Sequence, residues 1–398
     1  MHGASRVFPQ LMKELALTPR IERLSPVDKR KNRTCTLMIT QRCNLNCSYC
    51  YERFKSHRSM DFPTAKRCLE EELRCVESEK QRFSWLLVEL FGGEPLLNFP
   101  LIQQVVAWAR ESVHSVPLMF MVITNGTLLT DSVREWFRNN KDMIVLTVSY
   151  DGSSLSQMTN RRCSAESALE FCHREWPDMS FRMTVSPESV ETLAQDIKAS
   201  FAAGYTLRAQ LAHGVQWSEY ARCVLERELR ELKAFYLHEP TALPALLAPF
   251  FTGAEDSPSP CSQKCGAGCL KVCYDVDGAK YPCSMFSPVS AGERALPYHE
   301  YQYDDAANHN DPFCVDCPIK HSCYTCPAAN YIHRNSPAVR DHSMCRVNLT
   351  LALVALEFQS ERLIQRGLTP ESASLLKSYL RLLRKVKQSL ESSRLRSK

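Results

Sequence analysis

Three cysteines stand within eight residues in the stretch Cys43-Asn-Leu-Asn-Cys47-Ser-Tyr-Cys50. The spacing Cys-x-x-x-Cys-x-x-Cys curls a loop so that three thiolates converge on one side, the arrangement with which soft ligands hold an iron–sulfur cluster. Three ligands on a cube of four irons leave one iron open to a small molecule. A second field lies between residues 261 and 345, which contain ten cysteines. Cys261, Cys265, Cys269, Cys273 and Cys283 come first, followed by Cys314-Val-Asp-Cys317, Cys323, Cys326 and Cys345. Two tetrahedral zinc sites of four cysteines each would explain such paired spacings. Within this field Asp275-Val-Asp-Gly278-Ala-Lys-Tyr281-Pro282-Cys283 reads as a short hairpin that delivers a thiol at its end.

Elements must position these thiols. The run Thr34-Cys35-Thr36-Leu37-Met38-Ile39-Thr40 before the first motif is apolar and β-rich. It starts an alternation lasting to about residue 235, with strands predicted at 34–40, 84–91, 118–124, 143–149, 181–185 and 205–211. Between and after them, helices are predicted at 62–77, 99–112, 131–139, 164–172, 190–203 and 218–237. Six βα units with apolar, β-branched strands imply an α/β fold with a parallel sheet and helices outside. The count suits a barrel and a doubly wound sheet alike, and in both the chemistry collects at the carboxyl ends of the strands. Strand two ends in Phe91-Gly92-Gly93-Glu94-Pro95, where glycines allow close backbone approach and a carboxylate can take a cationic amine. Strand three ends in the turn Thr124-Asn125-Gly126, and strand four in Ser149-Tyr150-Asp151-Gly152.

Residues 1–33 are polar, basic and broken by prolines, an N-terminal extension. Pro240, Pro244, Pro249, Pro258 and Pro260 mark a linker over 241–260. Residues 349–398 read as a helical tail with a basic face of Lys377, Arg381, Arg384, Lys385 and Lys387. Most such faces are simply solvated, and an acidic leader peptide is the ligand this one would suit. A hydrophobic fraction of 44% and a charged fraction of 23% describe an ordinary globular protein, and a net charge of +5 is too small to argue for nucleic acid. Met1-His-Gly-Ala-Ser-Arg lacks an apolar signal core and no run of 18 apolar residues exists, so a cytoplasmic protein without a membrane span is expected. Nineteen cysteines in a reducing compartment point to metal or catalytic thiols rather than disulfides. Cys35, Cys68, Cys75, Cys163, Cys172 and Cys223 are scattered and read as small core or surface residues.

The first cysteine motif, with Tyr49 before its third cysteine, resembles that of the radical S-adenosylmethionine (SAM) enzymes. The resemblance implies a partial (β/α)6 barrel over residues 34–240 and a [4Fe–4S] cluster on Cys43, Cys47 and Cys50. Its open iron would chelate the amino and carboxylate groups of SAM. Reductive cleavage, fed by a donor such as flavodoxin or ferredoxin, would yield methionine and a 5′-deoxyadenosyl radical. Gly92, Gly93 and Glu94 match the family's GGEP motif, which holds the methionine amino group. Asn125 is a further candidate for the cofactor site. Ser149 and Arg161 match a serine and an arginine twelve residues later that bind SAM in sulfatase-maturating relatives, and Arg162 stands one residue away.

Residues 261–348 resemble the SPASM domain, a seven-cysteine module appended to radical SAM peptide-modifying enzymes. It implies two auxiliary [4Fe–4S] clusters. One would use Cys265, Cys283 and Cys326 with Cys261, for which Cys269 or Cys273 could substitute. The other would use Cys314, Cys317, Cys323 and Cys345. One departure is visible, two residues instead of three between Cys323 and Cys326. With every ligand position filled by cysteine, electron relay is the role expected of these clusters.

The combined resemblance implies hydrogen abstraction from a side chain of a peptide or protein, with or without a leader. In sulfatase-maturating enzymes an aspartate directly after the hairpin cysteine takes the substrate proton, but Ser284 stands there and is a poor base. The reading is therefore maturation of a ribosomal peptide by cross-linking or epimerisation, ahead of formylglycine formation. Asp275 and Asp277 are candidate acids or bases, although hairpin-turn duty accounts for both. A non-catalytic iron–sulfur or zinc scaffold is the reading from another class, and the intact GGEP sequence argues against it. An RNA-modifying radical enzyme is disfavoured by the SPASM-like cysteines.

Overall fold

The computed structural model describes residues 31–112, 115–239, 241–242, 246–247, 265–301, 311–320, 322–323 and 325–396. Strand β1 (Lys31–Thr40) leads through the cysteine loop to helix α1 (Phe62–Ser78), whose first turn is capped by Asp61 accepting the Thr64 N–H at 2.9 Å. There follow β2 (Phe83–Gly92), α2 (Phe99–Glu111), β3 (Leu118–Thr124), α3 (Asp131–Asn139) and β4 (Ile144–Val148). Two helices, α4 (Ser154–Arg161) and α5 (Glu166–Glu175), then occupy a span in which one was predicted. Arg162 separates them with a left-handed φ of 58°. The alternation ends with β5 (Phe181–Val185), α6 (Leu193–Ala202), β6 (Leu207–Leu211) and α7 (Glu219–His238).

The strand order β4-β3-β2-β1 is sequential and its pairs are parallel. A parallel bridge from Ser149 to Arg182 continues the sequence from β4 to β5, and β5 pairs with β6. A doubly wound sheet would reverse its order at β1. Here the other neighbour of β1 is β7 (Lys271–Tyr274), which pairs antiparallel with β8 (Lys280–Tyr281). The hairpin read from the second cysteine field thus extends the main sheet. The order is that of a βα barrel wall, and the fold is α/β with a parallel sheet and helices.

The two faces of β1 differ in a way its alternation dictates. Cys35, Leu37 and Ile39 are fully buried. At the α1 face Arg33, Glu72 and Tyr274 form a buried knot. Arg33 Nε donates to Glu72 Oε2 at 2.8 Å and Tyr274 Oη to Glu72 Oε1 at 2.8 Å. Lys280 Nζ adds a contact to Glu72 at 2.7 Å. Against the burial that would raise it, these partners hold the Glu72 carboxyl below its usual value.

The chain forms two compact units. The first contains β1 to β4, the segment Arg161–Arg182 and the β7–β8 hairpin. The second contains Asp151–Asn160, the chain from Met183 to Pro258, and everything after Tyr303. After the short helices α8 (Pro288–Ala291) and α9 (Pro327–Arg334), helix α10 (Cys345–Gln365) in the second unit is buried along most of its length from Val347 to Ser360. Helix α11 (Pro370–Arg396) lays Tyr379, Val386 and Leu390 against Leu349, Leu353 and Leu356 of α10. Its five basic residues named above are exposed. Among the described residues no helix is long and apolar enough to cross a membrane.

Candidate functional site

The cysteine loop is held by backbone bonds that prolong the β1–β2 ladder. Gly93 N–H donates to Thr40 O at 3.1 Å and Glu94 N–H to Arg42 O at 2.8 Å. A Cβ on Gly92 would lie 2.2 Å from Thr40 O, and one on Gly93 2.3 Å from Arg42 O and 2.8 Å from Cys43 Cβ. The close approach these glycines permit is therefore that of the loop's own stem. From Arg42 to Tyr49 the residues alternate, with Cys43, Leu45, Cys47 and Tyr49 half-buried and Arg42, Asn44, Asn46 and Ser48 exposed. Cys43 Sγ accepts the Leu45 N–H at 3.4 Å, and Cys50 Sγ accepts from Lys55 Nζ at 3.1 Å.

Glu94 is 1% exposed and pre-set by three donors. Its Oε1 accepts from Leu96 N–H at 3.1 Å and Thr124 Oγ1 at 2.7 Å, and its Oε2 accepts from Asn125 N–H at 2.8 Å. Burial raises its pKa, and these hydrogen bonds and the charge of Arg161 oppose the rise. The Asn125 side chain donates to Asn44 Oδ1 at 2.9 Å, while Asn44 Nδ2 donates to Thr127 Oγ1 at 2.8 Å. The end of β3 is thereby tied to the cysteine loop. Arg161 is buried with its guanidinium 5.3 Å from the Tyr49 ring centroid, whereas Arg162 is exposed. The structure thus brings Tyr49, Glu94, Asn125 and Arg161 to the loop; Ser149 sits just past β4 in the bridge to Arg182.

The face of the sheet opposite α1 carries a polar group among apolar side chains. Thr36 and Glu89 are cross-strand neighbours, and Glu89 Oε2 accepts from Thr36 Oγ1 at 2.8 Å and pairs with Lys271 Nζ at 2.7 Å. Lys271 keeps 31% of its side chain accessible. Against burial that opposes both charges, the pair lowers the Glu89 pKa and raises that of Lys271, so both are ionised. Asp275 is fully buried, and both its oxygens accept from Gln41 Nε2, at 2.8 and 3.0 Å. Asp277 accepts the Ala279 N–H at 3.0 Å and pairs with Arg58 at 3.0 Å, half-exposed. Glu52, two residues past the third cysteine, is 5% exposed; burial pushes its carboxyl up to about 7 although Lys55 opposes the shift. Cys265 is exposed and Cys283 half-buried in this unit. Cys273 is fully buried on β7 and Cys269 is disulfide-bonded. Cys261 lies outside the described residues.

The second unit gathers the later cysteines. A recess of about 500 Å³, its open mouth included, is lined by Cys314, Cys317, Cys323, Cys326 and Cys345. Cys314 and Cys317 sit on one turn, closed by Cys317 N–H to Cys314 O at 3.1 Å. Cys345 opens α10, and Asn348 one turn later donates to Cys323 Sγ at 3.5 Å. Burial pushes the Cys314 thiol up to about 11 and the Cys345 thiol up to about 12, and Arg340 opposes both shifts. Four sulfurs on one zinc ion lie about 3.8 Å apart, given a Zn–S bond near 2.3 Å. Among the described residues, the group whose ligand atoms all fall within 4.8 Å of one another is Asp311, Cys314 and His342, not a set of thiols. Asp311 is already committed, accepting from Phe313 N–H at 2.9 Å and Arg340 N–H at 3.0 Å and facing His342 Nε2 at 3.0 Å. A four-iron cube, whose thiolates sit on different metals, does not require the close approach of sulfurs that a single ion does.

Residues 37–199 match the Radical SAM superfamily. The chain carries a radical SAM domain. The SAM-binding structure of anSMEcpe with bound AdoMet and Cp18Cys peptide aligns over 84% of this chain and 98% of its own, at 16% identity and a TM-score of 0.59. Streptococcus suis SuiB bound to precursor peptide SuiA aligns over 78% of this chain and 75% of its own, at 16% identity and a TM-score of 0.51. These likenesses concern the fold. In sequence, an uncharacterized protein of Methanocaldococcus jannaschii is 34% identical over 122 residues, 31% of this chain and 40% of that protein. The radical SAM cyclopropyl synthase TigE of Paramaledivibacter caminithermalis is 22% identical over 187 residues, 43% of this chain and 39% of that protein. The chain thus spans about two fifths of the length of these curated relatives. Around the radical SAM loop, sequence reasoning missed Asn44, Glu52, Thr127 and the Glu89–Lys271 pair. Only the asparagine inside the cysteine motif carried a readable signal.

Proposed function

We propose that this radical SAM enzyme is a peptide maturase that abstracts hydrogen from a side chain of a ribosomal peptide or protein. The observation that carries the reading is the convergence of Cys43, Cys47 and Cys50 with Glu94, Asn125 and Arg161 at the carboxyl ends of β1 to β4. Cys43, Cys47 and Cys50 would hold a [4Fe–4S] cluster that, with SAM bound and one electron from a donor of the flavodoxin or ferredoxin class, supplies the 5′-deoxyadenosyl radical. Glu94 is fixed by three donors before any ligand arrives, so its carboxylate meets an ammonium group without reorganisation. Arg161, stacked on Tyr49, offers a cation to a carboxylate on the same ligand. The face bearing Glu89 and Lys271 would meet the peptide.

Both aspartates of the hairpin have structural partners, so neither Asp275 nor Asp277 is assigned proton transfer. Ser284 Oγ, next to Cys283, faces Tyr51 Oη at 3.5 Å, so the position directly after the hairpin cysteine offers a hydroxyl and not a carboxylate. This supports cross-linking or epimerisation ahead of formylglycine formation. Cys314, Cys317, Cys323 and Cys345 would hold an auxiliary [4Fe–4S] cluster. Cys265 and Cys283, with Cys261, would supply ligands for a second.

Anaerobic reconstitution with iron and sulfide, followed by SAM and dithionite, is expected to give 5′-deoxyadenosine by mass spectrometry. Absence of SAM cleavage from iron-replete protein would move the assignment to a non-catalytic scaffold. Co-expression with a short open reading frame encoded beside the gene is expected to change that peptide, by loss of hydrogen or by a D-residue. An unmodified peptide alongside a modified RNA would overturn the peptide assignment.

A further inference from the structure

Arg340 is 5% exposed, lines the thiol recess, and is clamped at both ends. Its backbone N–H donates to Asp311 Oδ2 at 3.0 Å and its Nη2 donates to the Lys320 carbonyl at 2.8 Å. Its Nε is buried and has no hydrogen-bond partner. A buried donor left unmade costs on the order of 1–3 kcal/mol, and more on a charged group. Arginine is also seldom buried without a purpose for its charge. The cation and its orphaned donor thus belong to a side chain that lines the same recess as Cys314, Cys317, Cys323 and Cys345.

We propose that Arg340 donates its Nε–H to a sulfur of the cluster held by Cys314, Cys317, Cys323 and Cys345, and thereby raises that cluster's reduction potential. The inference rests on the auxiliary-cluster part of the proposed function. Its physics is general. Reduction adds one negative charge to an already anionic thiolate cluster, and a nearby cation with a hydrogen bond to sulfur stabilises the reduced form more than the oxidised one. Arg340 is a positioning residue here, since it binds no iron. The short Arg340 tether, with the guanidinium pinned by Lys320 O, holds the donor at a set place, which a flexible lysine would not do.

The test uses the full chain carrying Cys43→Ala, Cys47→Ala and Cys50→Ala, so that only auxiliary clusters contribute to the spectrum. Dithionite titration followed by electron paramagnetic resonance is compared between this protein and its Arg340→Met and Arg340→Lys forms. In Arg340→Met one cluster is expected to become harder to reduce at unchanged iron and sulfide per chain. The expected size is at least about tenfold in the reduced-to-oxidised ratio at fixed ambient potential, or about 59 mV for one electron. Arg340→Lys, which keeps the charge and loses the fixed Nε–H, is expected between the two. An unchanged potential at full iron content overturns the proposal. If Arg340→Met fails to hold iron, an Arg340→Lys potential equal to that of Arg340 overturns it as well. A parent protein that binds zinc, or no metal, in the recess refutes the cluster reading itself and the role of Arg340 with it.

Discussion

The two thiol regions are built on opposite plans. Around Cys43, Cys47 and Cys50 alternate residues are exposed, and the loop hangs from backbone bonds to Gly93 and Glu94. In the recess Cys314 is buried and Cys317, Cys323 and Cys345 are half-buried beside Arg340, Asn348 and the start of α10, and burial lifts the pKa of Cys314 and Cys345 to about 11 and 12. A three-thiol loop with one side open suits a ligand that must enter and leave at each turnover. A recess that gathers four thiols suits a group that keeps its ligands and passes charge. Spacing alone does not separate these plans; the cover around the sulfurs does.

Exchanging single cysteines gives the largest break between the regions. Cys43→Ala is expected to cut 5′-deoxyadenosine formation by at least about a thousandfold, since no protein group can replace the cofactor's chemistry. Cys345→Ala should lower iron content while leaving SAM cleavage by the first region measurable. Equal loss of SAM cleavage in both variants would erase the functional distinction between the regions.

The frame under the first region comes next in size. Arg33 and Glu72 form an ion pair with side-chain exposures of 4% and 0%. Removing Arg33 leaves Glu72 buried with one of its oxygens stripped of its partner, while Lys280 and Tyr274 keep the other. Arg33→Met is therefore expected to destabilise the protein by about 3–5 kcal/mol in urea unfolding. Arg110→Met is the control, because its pair with Asp142 is about half-exposed and worth at most about 1 kcal/mol. Comparable losses in the two variants would show that burial does not set the cost.

Much of this organisation was legible along the chain because it is local. The strand from Leu118 to Thr124 and the helix from Asp131 to Asn139 fall where apolar periodicity and turn residues put them. The three-thiol loop and Glu94 follow from residues adjacent in sequence to strand ends. What was not legible depends on contacts far apart in the chain. Lys271 reaches Glu89 across 182 positions, and a lysine with a glutamate that distant carries no periodic signal. The hairpin's place beside β1 is set by parallel pairing of Thr34 with Lys271, again a tertiary event. The roles of Gly92 and Gly93 were only half legible. Their need for space was clear, but the neighbour that fills it is the Thr40–Arg42 backbone. Arg340 was silent, since its meaning lies in an Nε that burial leaves without a partner.

Within the first region Glu94 gives a smaller and more selective effect. Glu94→Gln preserves shape and most of the hydrogen bonds but removes the charge. A charge-assisted hydrogen bond contributes about 1.5–3 kcal/mol, so SAM affinity is expected to fall roughly 10- to 150-fold with iron content unchanged. Equilibrium dialysis with the loaded protein would measure it. An unchanged Kd would remove Glu94 from the SAM site.

The recess makes the smallest prediction, and one of a definite sign. The thiols of Cys314 and Cys345 rise from the ordinary 9.0 to about 11 and 12 in the fold. Between pH 9 and those values the folded apo-protein therefore binds more protons than the unfolded chain. Its stability must fall as pH rises through this window, and the contribution is fully present below pH 9. Each thiol should cost about 1 kcal/mol by pH 10. Lysines and tyrosines elsewhere titrate in the same range, so the measurement is a difference. The apo-protein should lose more stability from pH 8 to pH 10 than its Cys314→Ser/Cys345→Ser form does. Identical slopes would mean that the recess opens to water in the apo-protein, and the contrast with the half-buried loop would then be lost.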